Sequence, residues 1–181
     1  MVPDLLTGRL SLRAASPDDL DALQRIWDDP AVRRFLFDDE PVPRDRAAAV
    51  LADVLALSDG LGLWSVRLMG SDKVIGCVGL LPTGAASAYA PGLAGAVEPL
   101  AALAPDVWEQ GYATEALAQV LAYAFGPLRL ASVAAVHDIP NHASGRLVRR
   151  LGFVATGECD GPAHRLRTYR LTPDAFARRD A

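Results

Sequence analysis

The sequence is poor in cysteine and in lysine. Its 181 residues include two cysteines, Cys77 and Cys159, in neither a metal-binding nor a redox-motif spacing. We therefore expect a reduced, cytoplasmic chain without disulfides or a bound metal. Lysine occurs once, at Lys73, and the formal net charge is −4. That balance argues against a protein that coats nucleic acid.

An export signal and a membrane span are also missing from the pattern. The opening residues MVPDLLTGRL have no basic region followed by a long apolar run. The uncharged stretch 74–97 is long enough to cross a membrane, but it contains two prolines and five glycines. This composition favours a strand followed by a flexible loop over 82–95. We expect a soluble protein without membrane contacts.

Hydrophobic periodicity predicts an α/β domain over residues 1–181 with a mixed sheet. Residues 9–13 alternate polar and apolar side chains, and 16–19 (Ser-Pro-Asp-Asp) form a helix start with an N-cap and early acids. Further strands are predicted over 61–68 and 74–81, which form a hairpin, and over 95–103, 130–136, 153–158 and 165–171. Helices are predicted over 111–125, 141–151 and 44–58, the last with an inner face of Val50, Leu51, Val54 and Leu55. A short helix is also expected after Thr172.

The segment Trp108-Glu109-Gln110-Gly111-Tyr112-Ala113-Thr114-Glu115-Ala116 is the most informative one. It follows a predicted strand and opens a helix, so unpaired backbone N–H groups and the positive end of the helix dipole meet there. Small residues would let a pyrophosphate approach the backbone, and Thr114 adds a hydroxyl donor. An ordinary helix start with a turn glycine is the alternative.

A second segment runs from Asn141 to Phe153 (NHASGRLVRRLGF). Asn141 is placed as an N-cap of the predicted helix. Ser144 shares a helix face with the apolar residues Leu147, Val148 and Leu151. A serine on such a face is either a satisfied core hydroxyl or a group that points toward the sheet.

The two segments together resemble the GNAT superfamily of acyl-CoA-dependent N-acetyltransferases. The pattern QGYATEA, followed by NxxS and LGF, is similar to the RimJ/RimL branch, which acetylates ribosomal-protein N-termini and related amines. The resemblance begins at Thr7-Gly8-Arg9-Leu10-Ser11-Leu12-Arg13 and covers nearly the whole chain. It implies a mostly antiparallel central sheet of about seven strands, splayed at the acetyl-CoA site and flanked by helices. Its implied activity is acetyl transfer to a primary amine in a ternary complex.

The resemblance also implies which residues form the site. The residues expected to bind acetyl-CoA are Leu103, Ala104, Trp108, Gln110, Gly111, Tyr112, Ala113, Thr114, Asn141 and Ser144. Glu98 is expected to remove the amine proton, directly or through water, with His137 as the alternative base. A backbone N–H of strand 100–104 would stabilise the oxyanion, and Ser144 would protonate the thiolate.

This chain departs from the family pattern at three positions. Many members have glycine where Glu109 stands, and a carboxylate there would repel a diphosphate unless it turns outward. The strand motif E-I-G-Y reads Glu98-Pro99-Leu100-Ala101 here. Val148 occupies the position where the wider superfamily commonly has a tyrosine acid, so Ser144 is the remaining candidate.

The acceptor is the least defined partner. The acidic run Asp38-Asp39-Glu40 could receive a cationic substrate or could be a solvated turn. We expect a protein N-terminal α-amine as acceptor. The alternatives are a polyamine, amino acid or antibiotic amine, and a non-catalytic acyl-CoA-binding sensor. A homodimer is compatible with the resemblance.

Overall fold

The computed structural model describes residues 2–84 and 86–180, so Ala85 of the predicted loop 82–95 lies outside the described residues. The strands are β1 Leu5–Leu6, β2 Leu10–Ala14, β3 Gly62–Leu68, β4 Val74–Pro82, β5 Val97–Leu103, β6 Val133–Asp138, β7 Val154–Asp160 and β8 Arg165–Leu171. The helices are α1 Leu20–Trp27, α2 Pro30–Arg33, α3 Arg44–Leu55, α4 Ala86–Tyr89, α5 Tyr112–Phe125, α6 His142–Arg150 and α7 Pro173–Ala177. No helix in this described part is long and apolar enough to cross a membrane.

The strands form two hydrogen-bonded sheets with α-helices between them in sequence. The first has the order β1-β2-β3-β4-β5 and the second the order β6-β8-β7. The ladders from β1 to β4, and both ladders of the second sheet, are antiparallel. The predicted α/β class with a mostly antiparallel sheet is confirmed. The described residues form eight strands where about seven are expected, and one of the eight, β1, is only two residues long.

The chain divides into two compact units. The first holds the chain up to Leu80 together with Leu100–Val120, and the second holds Leu81–Pro99 together with the chain from Leu121 onward. Each unit has its own hydrophobic cluster. That residues 1–181 form one domain stays a prediction.

The first unit begins with the helix start that the sequence predicts. Ser16 and Asp19 form a reciprocal capping box at the turn Pro17–Asp19, in which the Ser16 N–H donates to the Asp19 carboxylate at 3.0 Å. Asp19 is buried, and Arg67 of β3 donates to its other oxygen at 2.6 Å. The buried core of this unit consists of Ala15, Leu23, Ile26, Trp27, Val32, Val42, Ala47, Leu51, Leu63, Cys77 and Ala102.

Helix α3 is shorter than predicted, and its inner face is only partly the predicted one. It ends at Leu55, where the sequence predicts a helix to 58, and Leu55 is 40% exposed. The buried positions are Ala47 and Leu51, four residues apart and therefore on one helical face. The predicted inner residues Val50 and Val54 only flank that core.

The predicted hairpin of β3 and β4 is confirmed, and it holds β5 closely. Gly76 of β4 lies so near β5 that a Cβ there would overlap the Ala102 carbonyl and come within 2.7 Å of the Leu103 Cα. The Ala104 N–H also donates to the Ile75 carbonyl at 2.9 Å. The hairpin therefore fixes the end of β5, where the loop before α5 begins.

In the second unit, the segment predicted as the loop 82–95 contains α4 and a 3-10 turn at Pro91–Leu93. Its Ala90 and Leu93 are buried with Ala134 of β6, and Cys159 of β7 packs against them. The strand predicted over 130–136 forms two to three residues later, as β6. Helices α6 and α7 are capped by Asn141 and Thr172.

Candidate active site

The loop between β5 and α5 is a tight turn built on two left-handed residues. After the 3-10 turn Pro105–Val107, Glu109 has φ +61° and Gly111 has φ +81°. The Trp108 indole N–H donates to the Leu103 carbonyl at 2.7 Å, which fastens the loop to the end of β5. Glu109 is exposed, so its carboxylate is in contact with solvent.

This loop leaves a row of backbone donors without a protein acceptor. The first backbone bond of α5 runs from the Glu115 N–H to the Gly111 carbonyl at 3.0 Å. The N–H groups of 110–114 donate to none of the described residues. Gly111 has no side chain, Ala113 has only a methyl group, and the Thr114 hydroxyl is half-buried. Such a row at the start of a 14-residue helix can hold an anion.

Leu103, at the end of β5, and Ala104, directly after it, hold the loop through their backbone carbonyls. The Leu103 carbonyl accepts from Trp108, and the Ala104 carbonyl accepts from the Val107 N–H at 3.1 Å. Strand β5 ends the order of the first sheet, so one of its edges has no strand partner there. Pro99 fits an edge strand, because it has no N–H to give to a ladder.

Glu98 lies on β5 in the second unit and is half-buried. Burial raises the pKa of its carboxyl above the ordinary value, and a hydrogen bond from the Gly84 N–H opposes that shift without cancelling it. A carboxyl with a raised pKa holds a proton more readily near neutral pH than an exposed glutamate does. This property suits a group that accepts a proton from an amine.

Asn141 and Ser144 lie together at the start of α6. The Asn141 side chain accepts from the Ser144 N–H at 3.1 Å, so Asn141 is the N-cap that the sequence predicts. The Ser144 hydroxyl is half-buried and bonds to none of the described residues. Val148 is buried, as an apolar residue on the inner face of α6 is expected to be.

His137, the alternative base, has both ring nitrogens engaged. Nδ1 lies 2.7 Å from the Asp138 carbonyl, and Nε2 lies 3.1 Å from the Tyr169 hydroxyl. The ring is buried and stacks on Tyr169, with 5.4 Å between ring centroids. A Cβ at Gly145 would come within 3.2 Å of the same ring. A proton could reach His137 only through Tyr169 or after a rearrangement.

The acidic run Asp38-Asp39-Glu40 forms an exposed turn. Asp38 and Asp39 both have left-handed φ angles, +54° and +63°. Arg33 lies 3.6 Å from the Asp39 carboxylate, which offsets part of the negative charge. The turn keeps a net acidic character that a cation could approach from solvent.

Cys77 and Cys159 are both free cysteines, not joined in a disulfide. Cys77 is buried, and burial raises the pKa of its thiol to about 12. Its sulfur lies 3.4 Å from the Trp27 indole nitrogen. Among the residues that the structure describes, no three or more His, Cys, Asp or Glu side chains are grouped as metal ligands.

A family model described as "Acetyltransferase (GNAT) domain" matches residues 9–154, which is most of the chain. The chain belongs to this family. The GNAT match spans both informative segments, from the turn before β2 through the loop at 108–114 to helix α6.

Known GNAT proteins match nearly the whole chain. The relative named "Uncharacterized N-acetyltransferase YoaA" from Bacillus subtilis is 26% identical over 159 residues, which are 87% of this chain and 86% of YoaA. A spermidine N-acetyltransferase from Vibrio cholerae, solved with CoA and spermine, has a TM-score of 0.76 and 17% identity, and the match covers 94% of this chain and 99% of that chain.

The ribosomal L7/L12 α-N-protein acetyltransferase RimL, solved with coenzyme A, has the same TM-score of 0.76 at 15% identity, covering 94% of this chain and 98% of that chain. The two enzymes are named for different acceptors, and both have the fold of this chain. The GNAT domain is therefore an acyl-CoA-dependent N-acetyltransferase that acetylates an amine, and the fold alone leaves the type of acceptor open.

The sequence analysis did not identify the residues, distant in the chain, that hydrogen-bond the loop at 108–114 and Glu98. Arg9 and Glu115 are 106 positions apart and form an ion pair of 2.7 Å beside the loop. Gly84 likewise hydrogen-bonds Glu98 from a distant position in the chain. No spacing signal connects such pairs, although the motifs that contain Arg9 and Glu115 are both visible in the sequence.

Proposed function

We propose that this GNAT domain transfers the acetyl group of acetyl-CoA to the α-amine of a protein N-terminus by direct attack in a ternary complex. The observation that carries the proposal is the row of backbone N–H groups at 110–114, which have no acceptor among the described residues. The RimL likeness supports the acceptor type, because RimL has the same fold and acts on an α-amine.

Residues 110–114 would bind the diphosphate of acetyl-CoA. Their N–H groups and the helix dipole supply positive potential, and Gly111 and Ala113 keep the approach open. Trp108, fastened to the Leu103 carbonyl, would hold the loop in this form. Leu103 and Ala104 would place the end of β5 beside the pantetheine arm. Asn141, in the second unit, is a donor-binding residue by the resemblance alone.

Glu98 would accept a proton from the substrate ammonium, directly or through water, which leaves the neutral amine to attack. The amine nitrogen then forms the new bond to the thioester carbonyl carbon, and the carbon–sulfur bond breaks. Ser144 would donate its hydroxyl proton to the departing thiolate. The second proton of the nitrogen, which is lost as the amide forms, would return to the Ser144 oxygen, directly or through water. A CoA-like thiolate has a pKa near 8.5, so a modest donor is sufficient.

The acid–base properties favour an α-amine over an alkyl amine. An α-amine has a pKa near 8, so about a tenth of it is neutral at pH 7, whereas an alkyl amine with a pKa near 10.4 is neutral at about one part in two thousand. Proton transfer to Glu98, a carboxyl of raised pKa, is less unfavourable from an ammonium with a pKa near 8 than from one with a pKa near 10.4. A polyamine is the second candidate, and the exposed acidic turn at Asp38-Asp39-Glu40 favours it.

Release of free CoA with a panel of amines tests the acceptor. One peptide has a free N-terminus, a matched peptide has a blocked N-terminus and one lysine, and spermidine is the third amine. We expect the free α-amine to give a kcat/KM at least about tenfold above the others at pH 7. A preference for spermidine would contradict the α-amine proposal. If the protein binds acetyl-CoA but releases no free CoA with any of the amines, it is a non-catalytic acyl-CoA-binding protein.

The variant Glu98→Gln tests the base. Gln keeps the shape of Glu and can still accept from the Gly84 N–H, so the fold and acetyl-CoA binding should persist. We expect kcat/KM to fall about a hundredfold at pH 7 and the loss to shrink as the pH approaches the pKa of the amine. Glu158→Gln, another strand glutamate of the same unit, is the control. A change in KM alone, not rescued at high pH, would assign Glu98 to cation binding instead.

A further inference from the structure

The first turn of α5 is tied to the turn between β1 and β2 by a cluster of bonds on one carboxylate. The Thr7 hydroxyl donates to Glu115 Oε1 at 2.5 Å, and the Arg9 backbone N–H donates to the same oxygen at 2.9 Å. The Arg9 Nε donates to Glu115 Oε2 at 2.7 Å. Burial acts to raise the pKa of Glu115, but these bonds and the Arg9 charge outweigh it, so the pKa is lowered. The carboxylate is therefore ionised and fixed at neutral pH.

The guanidinium of Arg9 continues from Glu115 onto the loop itself. Its Nη1 donates to the Gln110 carbonyl at 3.1 Å, and its Cζ lies 4.5 Å from the centre of the Tyr112 ring. A Cβ at Gly111 would lie 3.5 Å from Nη2. One side chain thus contacts or borders three consecutive residues at the point where the loop becomes helix.

This arrangement resolves two physical difficulties of the loop. The loop depends on left-handed residues at 109 and 111, and few regular backbone bonds hold it, so its shape needs support from elsewhere. Glu115 would also place a negative charge within one turn of the free N–H groups at 110–114. Arg9 neutralises the charge of Glu115. It also holds the Gln110 carbonyl in place, so the N–H groups at 110–114 stay directed away from that carbonyl.

We propose that Arg9, held by Glu115 and Thr7, is a positioning residue for the acyl donor: it fixes the loop that binds the diphosphate and cancels the carboxylate beside it. The inference rests on the proposed donor site at 110–114. It assigns a function in donor binding to the Thr-Gly-Arg turn before β2, more than a hundred positions before the loop in the chain.

The expected result is a selective loss of donor affinity. Arg9→Gln and Glu115→Gln should each raise the dissociation constant of acetyl-CoA about tenfold by titration calorimetry. The double variant should also lose about tenfold rather than a hundredfold, because both changes remove one joint interaction. Arg9→Lys keeps the positive charge but loses the branched set of guanidinium N–H donors. It should therefore bind acetyl-CoA more tightly than Arg9→Gln but less tightly than the wild type.

Kinetics and a control separate positioning from general stability. In each variant KM for acetyl-CoA should rise while kcat and KM for the amine stay within twofold. Arg44→Gln breaks another exposed pair, Arg44–Asp21 at 2.9 Å, and should leave donor affinity unchanged. An Arg9→Gln protein that folds and binds acetyl-CoA as the wild type does would overturn the inference, as would additive losses in the double variant.

One further variant distinguishes this inference from the proposed function. Gly111→Leu puts a bulky side chain into the loop itself. If Gly111→Leu weakens acetyl-CoA binding and Arg9→Gln does not, only the role of Arg9 is overturned. If neither variant weakens binding, the donor does not use this loop, and both proposals are overturned.

Discussion

Glu109 is the residue at which the loop conformation and the residue type conflict. Its φ of +61° lies in the left-handed region, where an L-residue with a side chain costs roughly 1–2 kcal/mol. Glycine removes that strain but loses about 0.5–1 kcal/mol through the entropy of the unfolded chain. Glu109→Gly should therefore stabilise the fold by about 0.5–1 kcal/mol. In a protein of this size the melting temperature should rise by about 1–4 °C.

Glu109→Ala separates strain from charge, because it removes the carboxylate and keeps the Cβ. It should not raise stability, yet both variants should bind acetyl-CoA more tightly. As an illustration, two unit charges separated by about 6 Å of water interact by about 0.7 kcal/mol, which is roughly a threefold change in a dissociation constant. Urea denaturation and titration calorimetry measure the two effects. Equal stabilities of the Gly and Ala variants would refute the left-handed conformation, and unchanged affinities in both would refute a diphosphate beside this loop.

Two further variants test the close approach of β4 to β5 and the proposed role of Ser144 as proton donor. Gly76→Ala should destabilise the fold by about 1–3 kcal/mol in urea, because the Cβ overlaps the Ala102 carbonyl, whereas Gly92→Ala, with no atom within 4 Å of its Cβ, should stay close to wild type; equal stabilities would contradict the close approach of β4 and β5. Ser144→Ala should lower kcat up to about tenfold and leave the acetyl-CoA dissociation constant unchanged, because protonation of the thiolate is a transition-state interaction; an unchanged kcat would assign that proton to water or another group.

Local signals in the sequence predict the elements whose ends are set by nearby residues. Ser16 and Asn141 are N-caps as predicted, and each interacts with a residue three positions further along the chain. Helix α3 ends earlier than predicted, and burial of Ala47 and Leu51 shows a face that periodicity alone does not distinguish. The strand β1 escapes prediction, because two residues are too few to show a period.

The candidate site divides in the same way. The motif at 108–114 predicts a glycine at a turn and a helix start, and the structure has both. The sequence cannot give the raised pKa of Glu98, because it depends on burial and on Gly84, which approaches only in the folded chain. The engagement of His137 by Tyr169 likewise arises from the pairing of β6 with β8.

The most direct test compares acetyl-CoA binding to two variants that carry the same backbone strain. Gly111 and Gly70 have φ angles of +81° and +78°, and Gly70 lies in the turn between β3 and β4 with open space around it. Gly111→Leu and Gly70→Leu should lose similar stability. Only Gly111→Leu should raise the dissociation constant of acetyl-CoA, by about tenfold or more, because its side chain extends from the loop that carries the N–H groups at 110–114 and displaces Arg9, which holds that loop. Equal dissociation constants for the two variants, both close to wild type, would contradict a donor site at this loop.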